Sequence, residues 1–340
     1  MKKIAIIGMG FMGTMHAQIY KQLRDATLVA VVDKRQAKAR QVLAKLGIQA
    51  PVFGTLEAML RACDVDAVDI CLPTDLHAPF ALAAIAAGKH VFCEKPLALT
   101  KADGKKIAEA ARKAGVFFQV GQCIRFWPEY MALEAFVKSR KAGRLLSLSL
   151  QRRAGRPTYS EGDWLNDSRR SGGAALDLHI HDTDFVHHLL GRPEAVTSTG
   201  TLDKTGWSHI FTNYHFKNVA VTAEGGWNYP ANWGFQMAFQ AVFERGAVEF
   251  DSGASPTLSV TTGAGKKRAL PYTNPGAGES STGAGNLSSL GGYYNELAAF
   301  VSCLERKRAP KIATGEQAAD SLATALAEIQ SAATGRTVKL

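Results

Sequence analysis

Asp177 and His181 stand four residues apart in the stretch Gly172-Gly173-Ala174-Ala175-Leu176-Asp177-Leu178-His179-Ile180-His181-Asp182-Thr183-Asp184, which two glycines set off from the chain before it. The run Ala174 to Leu190 reads as one helix, so carboxylate and imidazole would leave the same face one turn apart. On a packed helix such a pair is suited to proton transfer, because the acid selects the histidine tautomer and raises its basicity. The competing reading is a helix-start acid and a buried, satisfied histidine. Lys95 is a second chemical candidate, directly after a short apolar strand and directly before Pro96. An ammonium there reaches the crevice beyond the strand ends, where it can polarise a carbonyl or stabilise an alkoxide. Taken alone, a lysine at a strand end reads as surface.

The third group is Gly8-Met9-Gly10-Phe11-Met12-Gly13, between the β-branched run Lys3 to Ile7 and a helical stretch through Leu23. Gly8 permits the tight turn, Gly10 lets backbone approach a pyrophosphate, and Gly13 allows close helix–strand packing. The helix start, with Phe11 and Met12 in its first turn, would turn free N–H groups toward phosphates. The next strand, Thr27 to Val32, ends in Asp33, at the spacing of a ribose-binding acid. A carboxylate there favours NAD by repelling a 2′-phosphate. The basic pair Lys34 and Arg35 behind it leaves NADP as the second option.

The elements that must position these residues alternate: strand, helix, strand, through about Val120. That pattern implies a parallel, doubly wound sheet whose ligands sit beyond the carboxyl ends of its strands. Leu72, Pro73, Thr74 and His77 fall there, as do Glu94 and Lys95, and His77 suits lining the cofactor site better than chemistry. After Gly121 the pattern changes to a helix over Phe126 to Ala142 and a strand over Leu145 to Arg152. An irregular stretch containing Trp164 and the Asp177 helix follow. Five period-2 runs between Ala195 and Phe250 then predict an antiparallel meander. One face of it would cover helices; the other would be partly apolar, carrying Trp207, Phe211, Trp227, Trp233 and Phe235. Asn274 to Gly292, Gly/Ser-rich and without period, predicts a mobile loop. Helices over Tyr293 to Glu305 and Gly315 to Ala333 close the chain.

At 340 residues the chain exceeds a single core, so two domains are expected, with boundaries 1–121 and 122–340. Five cysteines without a CxxC pair or metal spacing suit free thiols and a cytoplasmic protein. No apolar run approaches the ~20 residues of a membrane span. A formal charge of +10 invites a nucleic-acid partner, but the basic residues fall in short dispersed groups such as Arg152-Arg153, which read as solvated surface. His179, His181, His187 and His188 lack a convincing ligand spacing, and no catalytic metal is expected.

Three separated motifs together resemble the Gfo/Idh/MocA oxidoreductases: the GxGxxG with its acid-tipped second strand, Glu94-Lys95-Pro96, and Gly172-Gly173-x-x-x-Asp177-x-x-x-His181-x-x-Asp184. The resemblance covers essentially the whole chain. It implies an α/β protein, with an N-terminal Rossmann dinucleotide-binding domain and a C-terminal α+β domain. The latter carries a large, predominantly antiparallel open sheet whose face makes subunit contacts, giving a homodimer or homotetramer. It implies that Lys95, Asp177 and His181 are catalytic and that Asp33 holds the ribose. It also places Pro73, Thr74 and His77 in the strand-end element and Arg125 at the domain junction. Substrate would meet Lys95, Arg125, Trp164, Asp177 and His181. His179, where many members carry glycine, and the extra acid Asp182 depart from the pattern and bear on substrate shape. The function implied is an NAD(P)-dependent dehydrogenase or reductase acting on a secondary alcohol or ketone of a sugar, cyclitol or related polyol. The alternatives are a cofactor-bound sensor without turnover, and a lyase or hydrolase that recycles NAD.

Overall fold

Short β-branched runs punctuated by glycine and capped helices build the first sheet. The computed structural model describes residues 1–230, 232–263, 265–273 and 291–340. Strands β1 (Lys2–Ile7), β2 (Ala26–Val32), β3 (Val52–Phe53), β4 (Ala67–Ile70), β5 (His90–Glu94) and β6 (Phe118–Gly121) form a six-stranded sheet, order β3-β2-β1-β4-β5-β6. Every neighbouring pair is parallel. Helices α1 (Phe11–Gln22), α2 (Gln36–Leu46), α3 (Leu56–Ala62), α4 (His77–Ala86) and α5 (Lys101–Ala114) make the crossovers. Their ends follow local chemistry: the side chains of Thr55 and Thr100 accept N-cap bonds for α3 and α5, and left-handed Gly47 and Gly115 stop α2 and α5. The order reverses between β1 and β4, which opens a crevice above the strand ends.

The second unit places α6 (Pro128–Ser139), β7 (Leu145–Gly155), α7 (Ser168–Ser171), α8 (Gly173–Asp177) and α9 (Ile180–Leu190) ahead of strands β8 (Ala195–Asp203), β9 (Gly206–His215), β10 (Ala220–Tyr229), β11 (Phe235–Phe243), β12 (Gly246–Asp251), β13 (Leu258–Thr262) and β14 (Arg268–Ala269). Helices α10 (Gly291–Arg306) and α11 (Gly315–Thr334) and strand β15 (Val338–Lys339) follow. The nine-stranded sheet runs β14-β13-β12-β11-β7-β10-β9-β8-β15. It is not the simple meander expected. β7 inserts between β11 and β10, antiparallel to the first and parallel to the second. Gly155 N–H bonds to the carbonyl of Gly234 where the β10–β11 connection meets the end of β7. The predicted loop over 274–290 lies outside the described residues, and Gly291 and Gly292 open α10.

The inner face of this sheet packs on α6 and α9. Tyr130 sits with its ring 4.8 to 5.6 Å from those of Phe185, Phe239 and Phe250, a cluster worth about 2 kcal/mol or more per fully buried ring. The outer face departs from expectation. Trp227 is buried; Phe211 and Trp233 are half exposed. Around them Gln151, Arg153, Glu224 and Gln236 form a hydrogen-bonded polar surface. The closing helices return to the first unit. Leu297, Phe300 and Leu304 of α10 join the core of β1, and α11 lies against α5, where a Cβ on Gly104 would come within 2.9 Å of Leu322. Among the described residues no helix is long and apolar enough to cross a membrane.

Candidate active site

A cleft of about 780 Å³ runs from the β1–α1 turn, across the ends of β4 and β5, to the inner face of the second sheet. At its first end Gly8 takes φ +96°, and a Cβ there would lie 2.6 Å from the Cys71 carbonyl oxygen. A Cβ on Gly13 would lie 1.9 Å from the Gly8 oxygen, so helix and turn touch only because both are glycine. Gly10 faces open space and caps α1 without a side-chain bond, leaving the first-turn amides of Phe11 and Met12 free for an anion. Asp33 is held by backbone donors: Met9 N–H to Oδ2 at 2.8 Å and Arg35 N–H to Oδ1 at 2.7 Å. Arg35 and Lys38 both pair with Glu161, and Arg35, then Lys38, hold the Glu161 carboxyl down to about 2. Lys34 stays exposed beside them.

The other end of the cleft is assembled by a break in the predicted helix. Ala174 to Leu190 is two helices, not one. The Leu178 and His179 amides both bond to the Ala174 carbonyl, and the His181 amide bonds to Leu178 instead of Asp177. The Asp177 carbonyl, released from helical bonding, accepts from Lys95 Nζ at 2.7 Å, and its Oδ1 accepts from the same ammonium at 3.0 Å. The acid therefore grips the lysine and makes no hydrogen bond to His181 among the described residues, a correction to the carboxylate–imidazole pair expected from spacing. His181 places Nδ1 3.9 Å from Cys123 Sγ and has no bond at Nε2 among the described residues. Burial, then the Lys95 and Arg152 cations, push its pKa well below the usual imidazole value. The ring is neutral at pH 7 and free to accept a proton.

Gly8, Gly10, Phe11, Met12, Asp33, Lys34, Leu72, Pro73, Glu94, Lys95, Trp164, Asp177 and His181 all line the cleft. Thr74 and His77 are buried behind it. His77 sets its ring nitrogens 2.8 Å from the Leu72 and Pro96 carbonyl oxygens, tying the two strand-end loops together. Arg125 does not line the cleft. Its guanidinium is bidentate to Asp184 at 2.6 and 2.7 Å and donates to Gln317 at 2.6 Å, which joins α9 and α11. Composition also misplaced Arg152, which is 1% exposed and lines the cleft while bidentate to Asp182 at 2.9 Å. Burial works against its charge, but Asp182 outweighs burial and raises its pKa. The extra acid Asp182 was the one signal for this partner. Trp127 and Met237 add apolar wall that no motif marked, and Phe235 lines the cleft with them instead of facing outward as expected. His179 is turned away, 2.7 Å from Glu328; His187 meets Thr324 and His188 meets Glu134, so the four histidines share no centre.

Residues 2–122 match the family described as oxidoreductase family, NAD-binding Rossmann fold, and residues 130–249 match the GFO/IDH/MocA C-terminal domain. The chain belongs to the Gfo/Idh/MocA oxidoreductase family. This Gfo/Idh/MocA oxidoreductase is 30% identical over 265 residues to the oxidoreductase YrbE of Bacillus subtilis (strain 168), covering 76% of each chain. It is 28% identical to inositol 2-dehydrogenase of Rhizobium meliloti (strain 1021), covering 99% of both. Among solved structures, GenD2 from gentamicin A biosynthesis, in complex with NAD, is similar at a TM-score of 0.83 and 26% identity, covering 100% of this chain and 96% of that one.

Proposed function

We propose that this oxidoreductase moves a hydride between nicotinamide C4 and a secondary alcohol or ketone carbon of a cyclitol, sugar or related polyol. The carrying observation is the Lys95–Asp177 grip beside neutral His181, in the cleft that also holds the glycine turn. Open space at Gly10, the free amides of α1 and the oriented Asp33 fit a nicotinamide dinucleotide. When bound, that cofactor supplies or accepts the hydride. The chain's residues do the rest. Lys95 donates to the substrate oxygen and stabilises the negative charge that develops there. His181 accepts the hydroxyl proton in oxidation and returns it in reduction. Asp177 positions Lys95. Trp127, Trp164, Phe235 and Met237 offer apolar faces to the carbon side of a ring.

The likeness to inositol 2-dehydrogenase over nearly all of both chains supports the polyol class. NAD over NADP is supported by Asp33 and by Glu161, which pairs with the Arg35 and Lys38 cations a 2′-phosphate would need. Residues 1–121 serve as the cofactor unit and 122–340 as the substrate and assembly unit, in a cytoplasmic dimer or tetramer packed through the open sheet; light scattering tests the assembly. The function is tested by screening inositols, aldoses and sugar acids for reduced-nicotinamide absorbance with NAD and with NADP. Turnover with a polyol and NAD is expected. Absence of turnover across the panel, with NAD bound, would favour a sensor.

A further inference from the structure

Beneath the cleft, titratable side chains that hydride transfer does not use close on one another out of water. His16 of α1, Asp69 of β4 and Glu296 of α10 are each 0% exposed. His16 Nδ1 lies 2.8 Å from Asp69 Oδ2 and 3.3 Å from Cys71 Sγ. Its Nε2 lies 3.2 Å from Glu94 Oε1, an ion-pair contact bent away from a linear hydrogen bond. Glu94 Oε2 accepts the Lys95 backbone N–H at 3.1 Å. Gly121, across from Glu94 on β6, leaves room for that carboxylate; a Cβ there would lie 3.1 Å from Oε1. A continuous line therefore runs Asp69–His16–Glu94–Lys95, and Glu94 reaches the cleft wall. Tyr20 packs into the same cluster with its hydroxyl buried.

Three carboxylates around one imidazole in a dry interior cannot all be ionised without a cation among them. Neither Glu296 oxygen has a hydrogen-bond partner among the described residues, and burial followed by the Glu94 charge raises its pKa well above the usual value, so it keeps its proton. His16 has the Asp69 carboxylate at Nδ1 and the Glu94 carboxylate in ion-pair reach of Nε2. Burial opposes its charge, but the Asp69 carboxylate outweighs burial and raises its pKa well above the usual imidazole value, which favours the imidazolium. One cation between Asp69 and Glu94 leaves a net negative charge, and the carboxylate that shows it to the cleft is Glu94.

We propose that His16 is a positioning residue of the active site: it orients the Glu94 carboxylate at the cleft wall, anchors the Lys95 backbone through it, and so favours the cationic, oxidised nicotinamide over the reduced one. The inference rests on nicotinamide binding but not on the identity of the polyol. Without His16, Glu94 loses the partner 3.2 Å from its Oε1 that fixes it at the cleft wall, and the site loses its preference.

The test is the ratio of dissociation constants for NAD and NADH, measured by calorimetry and by NADH fluorescence. His16→Gln should weaken NAD by roughly tenfold relative to NADH. Glu94→Gln should do the same, and the double variant should add little. Glu296→Gln, replacing a group that is already neutral, should leave the ratio unchanged. If His16→Gln weakens both cofactors equally, the cluster is merely structural and the proposal fails. Should that variant not fold, nitrogen NMR of histidine-labelled wild type decides: at about pH 8 His16 should carry protons on both ring nitrogens, well above an ordinary imidazole. A neutral ring, or stoichiometric metal in the purified protein, would overturn the assignment. Failure to bind either nicotinamide would instead refute the cofactor reading itself.

Discussion

Asp177→Asn separates the two roles that an acid near His181 could have. Among the described residues Lys95 Nζ has two partners, both from Asp177: Oδ1 at 3.0 Å and the main-chain carbonyl at 2.7 Å. At that separation and an effective dielectric of about 20, the ion-pair attraction is roughly 5 kcal/mol. The side chains keep 16% and 12% exposure, and the carbonyl and the asparagine dipole remain. Solvent screening and those contacts reduce the loss to about 3 kcal/mol, or about a hundredfold in kcat. The assay is steady-state kinetics on a polyol found by the screen, with NAD affinity measured separately and expected to hold. The His181 ring should stay neutral in the variant, because burial, Lys95 and Arg152 set its depressed pKa. A kcat within about threefold of wild type would refute the reasoning, showing that the carbonyl alone positions Lys95.

Lys95→Met removes the stronger of the two cationic influences on His181, so the histidine pKa should rise toward its ordinary value and the acid limb of binding or activity should move to higher pH. A histidine titration by NMR checks the direction, and no upward movement would contradict the placement. Glu161→Gln should release Arg35 and Lys38 and move the NADP-to-NAD affinity ratio toward NADP by several-fold, more at low salt; an unchanged ratio would remove Glu161 from cofactor choice. Asp184→Asn leaves Arg125 buried without its carboxylate and should cost about 3 to 5 kcal/mol in urea unfolding, since both side chains are nearly inaccessible.

The cofactor half was legible because local rules decide it. Gly8 is demanded by its positive φ in the turn and Gly13 by its contact with the Gly8 oxygen, and strand–helix alternation sets the parallel order. Lys95 and Asp177 were legible as residue types but not as partners. Their union depends on the helix break at Leu178, which no periodicity marks because Leu178 and Ile180 remain apolar on either side of it. Strand neighbours in the second sheet were illegible for a different reason: period-2 runs predict strands but not which strand inserts between β10 and β11. Long-range ion pairs were hidden most completely. Arg152 and Arg125 read as surface and substrate contacts, yet each is satisfied by an acid on α9 that only the tertiary fold delivers. Arg35 looked free for a phosphate until Glu161 arrived from the irregular stretch.

Label transfer tests the central claim most directly. A polyol carrying deuterium on the carbon to be oxidised, incubated with NAD and wild-type enzyme, should yield NADH with deuterium at nicotinamide C4 and one equivalent of ketone. His181→Ala should slow that transfer by about a hundredfold while still binding NAD. Product formed without labelled NADH accumulating would contradict net hydride transfer and point to an enzyme that recycles its cofactor.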